Sequence, residues 1–196
     1  MTKRSAKAER RTKETDIRIS LALDGDGTHD IDSGIPFFDH MLTLFTVHGF
    51  FNLTLSAKGD LQVDFHHTVE DIGLVLGDAF GKALGDRAGI VRFGHAVTPM
   101  DDALAAVTVD LSNRPYLVFN AGLTSGTGKH FDAALTKEFF RAFTTRCGLN
   151  LHINVSYGEN EHHVLEAIFK ATGRAISRAA SVDSRIRGVR STKGSL

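Results

Sequence analysis

One five-residue frame occurs twice in this chain, and the repetition constrains the fold more than any other feature. His66-His67-Thr68-Val69-Glu70 and His162-His163-Val164-Leu165-Glu166 share the frame His-His-x-x-Glu and lie about half a chain apart. Each opens a stretch with apolar residues at three- and four-residue spacing, the mark of one buried helix face. The first runs Ile72, Val75, Leu76, Ala79, Phe80, Ala83, Leu84; the second runs Leu165, Ile168, Phe169, Thr172, Ile176. The segments ahead of the frames match as well. Phe37-Phe38-Asp39-His40-Met41-Leu42 begins a helical pattern that ends near Gly49 and leads into Phe51-Asn52-Leu53-Thr54-Leu55. Glu138-Phe139-Phe140-Arg141-Ala142-Phe143 does the same through Gly148 into Leu149 to Val155. Glycine at these helix ends suits a C-cap.

Further strands precede both units. Asp16 to Leu23 alternates cleanly before the turn Gly25-Asp26-Gly27, and Ala103 to Asp110 and Arg114 to Asn120 read likewise. The expected fold is α+β, two fused, repeated half-domains, each a β-sheet packed on one face by helices in a two-layer sandwich. The halves are set at 13–91 and 92–182, between a flexible basic tail at 1–12 and a C-terminal phosphate-binding tail at 183–196. Residues 13–194 form one functional domain.

Charge excludes some partners. Twenty-three basic and 23 acidic residues cancel, so no global field draws the chain to nucleic acid or an anionic membrane. No apolar run reaches membrane-spanning length, and the basic start runs into polar residues rather than a signal sequence. A single cysteine, Cys147, precludes an intrachain disulfide and suits a reducing cytoplasm. Ten histidines against one cysteine favour imidazole–carboxylate metal sites over thiolate ones.

Spacing makes the frames chelating. On a helix, i and i+4 share a face while i and i+1 diverge by about 100°. His66 with Glu70, and His162 with Glu166, can each grip one ion, while His67 and His163 point elsewhere, so two metal sites are expected. His40 and Glu138 stand at nearly the same distance ahead of the two frames, which raises both to ligand candidates. Such donors suit Mn²⁺, with Zn²⁺, Fe²⁺ and Ni²⁺ open on donor type alone. Near the C-terminus, Arg185 to Gly194 carries basic and hydroxyl groups between glycines and could wrap a phosphate. Arg92, Arg114 and Lys170 are isolated cations.

Taken together, Phe37–Leu42, His66–Asp71, Pro99–Leu104, Ser112–Pro115, Glu159–Ala171 and Ser191–Gly194 resemble, in order, the motif series of the imidazoleglycerol-phosphate dehydratase family. The resemblance spans about Glu14 to Gly194. It implies a manganese-dependent hydro-lyase of histidine biosynthesis with two Mn²⁺ per site. It implies as well a homo-oligomer, a 24-mer built from trimers, with active sites at subunit interfaces. His40, His67, His162 and Glu166 would hold one metal; His66, Glu70, His163 and residue 138 the other. The family commonly has His at position 138, where this chain has Glu138. Arg92, Arg114, Lys170, Ser191 and Lys193 would meet the substrate phosphate, and Glu14 the substrate backbone or reacting hydrogen. Two metals, one on each ring nitrogen, would stabilise an imidazolate intermediate; Glu14 or a metal-bound water would move the protons. The alternatives are a two-metal phosphoester hydrolase, which would release free phosphate, and a metal-storing assembly protein.

Overall fold

The computed structural model describes residues 4–123 and 131–196. The order of elements repeats: β1 (Ser5–Arg11), β2 (Thr15–Ala22), β3 (His29–Asp32), α1 (Pro36–Gly49), β4 (Asn52–Gly59) and α2 (His66–Leu84) are followed by β5 (Phe93–Met100), β6 (Ala103–Asp110), β7 (Tyr116–Asn120), α3 (Ala133–Cys147), β8 (Asn150–Tyr157) and α4 (Glu161–Ala180). The sheets have the same topology, β1-β2-β4-β3 and β5-β6-β8-β7, with only the last pair of each running parallel. Each half is thus the α+β unit that the repeat implies.

Alternation places Ile17, Ile19 and Leu21 of β2, and Val107 and Val109 of β6, inward. Helix α2 covers the first sheet and α4 the second, while α1 packs on α4 and α2 on α3. Helices therefore meet across the boundary between the halves. Phe38, Phe45, Phe80, Phe139, Phe143 and Phe169 fill the space between them with edge-on and stacked ring pairs. Each such ring contributes about 1.5–3 kcal/mol by burial. Glycine lets the backbones approach. A Cβ on Gly77 would lie 2.6 Å from the Phe143 carbonyl oxygen, and one on Gly173 2.3 Å from that of Phe45, the same contact in both halves.

Three expectations change. The basic segment expected as a flexible tail is strand β1 from Ser5, paired in register with β2 along its whole length; residues 1–3 of that tail lie outside the described residues. Its inward residues, Ala6 and Ala8, are too small to announce an alternation, and its charged side chains protect an exposed edge. Strand β5 went unread because its buried positions are Gly94, Ala96 and Thr98 while Phe93 and Val97 face outward; a Gly94 Cβ would lie 2.0 Å from the Ala175 carbonyl oxygen of α4. The left-handed cap of α1 is Phe50 (φ 55°), not Gly49, which instead accommodates the Phe51 ring; Gly148 (φ 67°) caps α3 as expected. No helix among the described residues is long and apolar enough to cross a membrane.

Candidate active site

The two histidine pairs sit on the first turns of α2 and α4, each held by a side-chain oxygen two residues ahead of the pair. The Asp64 carboxylate accepts the His66 backbone N–H at 2.8 Å, and the Asn160 side-chain oxygen accepts that of His162 at 2.9 Å. In α4 this is the N-cap bond; in α2 the cap is Phe65, and Asp64 acts from one residue ahead of it. Adjacent rings then diverge, with interplanar angles of 87° for His66/His67 and 75° for His162/His163.

Within one chain the structure brings together His40, His162 and Glu166. Both imidazole Nε2 atoms reach the same oxygen, Glu166 Oε1, at 3.0 and 2.9 Å. Among the described residues this is the one group of three His, Cys, Asp or Glu side chains close enough to hold an ion. Lys170, one turn along, donates to the other oxygen, Glu166 Oε2, at 2.5 Å. Burial pushes the Glu166 carboxyl up, but bonds from Lys170, His40 and His162 outweigh it and hold the group at about 2. The carboxylate is ionised and aimed, and two nitrogens plus one oxygen suit a divalent transition metal.

The fourth residue implied for that metal, His67, stands apart: its Nδ1 lies 3.0 Å from Asp60 Oδ2 and 3.9 Å from Glu14 Oε2. The other expected set is also divided. His66 Nε2 is 3.7 Å from Glu70 Oε2, and Glu138 connects to Glu70 only through Arg141. His163 Nδ1 bonds Asp102 Oδ1 at 2.5 Å.

Asp60 and Asp102 were missed by sequence reasoning, although Asp102 lay inside a quoted motif. Asp102 also accepts the backbone N–H groups of Glu159 and Asn160 (2.7 and 2.9 Å), which with His163 hold its carboxyl below the usual range. In return the Asp60 and Asp102 hydrogen bonds raise the basicity of His67 and His163. Each ring is bound at Nδ1, which leaves Nε2 as the nitrogen for an ion, the arrangement by which a carboxylate orients a metal-binding imidazole; that of His163 lies 3.6 Å from Asp101 Oδ2. Asp102→Asn is expected to lower metal affinity and turnover about 10- to 100-fold without unfolding the chain; wild-type metal binding in that variant would refute the role.

The cations also divide. Arg92, Arg114, Ser191 and Lys193, with Asn113 and Arg190, line a cleft of about 690 Å³. Arg92 grips Asp110 with two bonds (2.7 and 3.0 Å) and donates to the Arg190 carbonyl at 2.7 Å, tying down the C-terminal segment. Lys170 is not in this cleft but beside Glu166. The backbone N–H of Arg92 bonds Ala179 O at the far end of α4. From Glu166 to Ala179, at about 1.5 Å per residue, is roughly 20 Å.

The family model described as imidazoleglycerol-phosphate dehydratase matches residues 33–176. A protein of that name from Desulfosudis oleivorans is 59% identical over 98% of both chains. Among solved structures, the Staphylococcus aureus imidazoleglycerol-phosphate dehydratase aligns with a TM-score of 0.80 at 40% identity, covering 91% of this chain and all of that one. The Pyrococcus furiosus enzyme, solved in complex with (S)-C348, aligns at 0.79 and 37% identity over 96% of this chain and 99% of its own.

Proposed function

The chain belongs to the imidazoleglycerol-phosphate dehydratase family, and on that premise we propose that it converts imidazoleglycerol phosphate to imidazole acetol phosphate, a cytoplasmic hydro-lyase step of histidine biosynthesis. The observation that carries this reading is the convergence of His40, His162 and Glu166 on one point, in a chain that also presents the Arg114–Ser191–Lys193 cleft.

The same reading takes two Mn²⁺ per site. His40, His162 and Glu166 would hold one ion, completed by His67; His66, Glu70, Glu138 and His163 would hold the other. Bound there, the metals would supply Lewis acidity toward the imidazole of the substrate. The remaining chemistry falls to the protein. Arg114, Ser191 and Lys193 bind the phosphate, with Arg92 fixing the segment that carries two of them. Lys170 is placed to exchange Glu166 for a substrate anion. Glu14, exposed on the β1–β2 turn beside His67, is the carboxylate free to move a proton at the substrate carbons.

A three-carbon phosphate cannot bridge the roughly 20 Å between Glu166 and the Arg92 end of α4. This supports an active site completed by another subunit, in the 24-mer built from trimers. Coexpressing Glu166→Gln and Lys193→Ala chains is expected to yield mixed oligomers that recover activity which neither variant has alone. No recovery in verified mixed oligomers would place the whole site within one chain.

The function is tested by stripping metal and following turnover of imidazoleglycerol phosphate before and after adding Mn²⁺. Ketone formation restored without free phosphate is the expected result; free phosphate instead would favour a hydrolase.

A further inference from the structure

Superposing the halves by their repeat sets His40 of α1 against Glu138 of α3, and Glu166 of α4 against Glu70 of α2. In the first pair an imidazole meets a carboxylate directly, at 3.0 Å. In the second, two carboxylates face one another, and what separates them is a guanidinium. Arg141, one turn along α3, donates through Nε to Glu138 Oε2 at 2.8 Å and through a terminal nitrogen to both Glu138 and Glu70, the latter at 3.2 Å. The position equivalent to Arg141 in α1 is Thr43, which carries no charge. The paired carboxylates thus have a cation set between them, whereas at the equivalent place between His40 and Glu166 there is none, and Lys170 meets Glu166 only at its other oxygen.

We infer that Arg141 is the resident counter-ion of the second donor set and competes with the divalent ion for Glu70 and Glu138. The inference rests on the proposed two-metal reading of the site. Without a cation, Glu70 and Glu138 repel; a divalent ion and the guanidinium neutralise the same pair, so one must leave for the other to enter. In the first set no such exchange is needed at Glu166 Oε1, since His40 and His162 already converge on it and Lys170 takes the other oxygen. The two sites therefore fill in order, the His40–His162–Glu166 set first. An Arg held on two half-exposed carboxylates is displaced at modest cost, so the gap is small enough to be filled at ordinary metal concentrations.

Titrating metal-free, full-length protein with Mn²⁺, and reading free ion by electron paramagnetic resonance, should show two unequal affinities per chain. In Arg141→Gln the weaker one tightens by about two- to fivefold, the order expected for losing a partly exposed charge pair, while the stronger one is unchanged. Arg141→Lys, which keeps the charge but loses the fork that spans both carboxylates, gives a smaller shift. Arg141 is more than half exposed, and circular dichroism establishes that the variants fold. Unchanged or weaker binding at the second site in Arg141→Gln would overturn the inference, showing that Arg141 is inert or positions Glu138 for the ion. Absence of Mn²⁺ binding in both wild type and variant would instead remove the two-metal reading itself.

Discussion

Glu166→Gln is expected to lower turnover by about a thousandfold and to cost the protein one of the two ions proposed for it. The side chain is nearly buried, yet it is the meeting point of His40, His162 and Lys170. Glutamine preserves the shape but removes the negative charge, so a cation beside it loses its anionic donor and Lys170 loses its counter-charge. A metal acting as Lewis acid is worth several kcal/mol of transition-state stabilisation, and about 4 kcal/mol corresponds to a factor of roughly a thousand. Steady-state kinetics with metal analysis checks this; wild-type turnover with two bound ions would remove Glu166 from the site. The same group marks the acid limb of stability. Its folded value, about 2, lies below the ordinary 4.5, so its contribution is present above about 4.5 and is lost as pH falls toward 2. Glu166→Gln should flatten that limb in the metal-free protein.

Gly173→Ala is expected to destabilise the fold by about 2–3 kcal/mol and to weaken the first metal site together with it. The added methyl would lie 2.3 Å from the Phe45 carbonyl oxygen and 3.1 Å from its carbon. Backbone cannot swing aside as a side-chain tip can, so α1 must back away from α4. Those two helices run side by side in the same direction, and two turns earlier they hold His40 against Glu166 at 3.0 Å. Gly81→Ala is the control: its methyl would meet nothing nearer than 3.5 Å, and alanine in a helix interior gains up to about 1 kcal/mol. Denaturant midpoints and Mn²⁺ affinity report the two effects. Equal stability of Gly173→Ala and Gly81→Ala would show that the close approach does not matter.

Much of the fold is legible locally because helix and strand periods differ. The alternation of β2 and the three- and four-residue spacing after His66 and His162 identify those elements directly. Reading fails where the periodic signal is carried by small residues, as in β1 with Ala6 and Ala8, or is inverted, as in β5 with Phe93 and Val97 outside. Candidate donors are legible for a similar reason: His66 with Glu70 and His162 with Glu166 are neighbours by helical geometry alone. Asp60 and Arg141 escaped notice because an isolated acid or base carries no local pattern.

By itself, then, the sequence determined a duplicated α+β unit, the helix faces that are buried, and the short-range donor pairs, since each depends on backbone periods that act over a turn or two. Beyond the grouping of His40 with His162 and Glu166 that the family resemblance implied, only the tertiary structure decided which donors meet across the chain. His40 joins Glu166, Arg141 lies between Glu70 and Glu138, and Lys170 is parted from the Arg92 cleft. Those outcomes depend on how closely α1 approaches α4 and α2 approaches α3, which Gly173 and Gly77 permit by presenting bare backbone to a carbonyl far away in sequence.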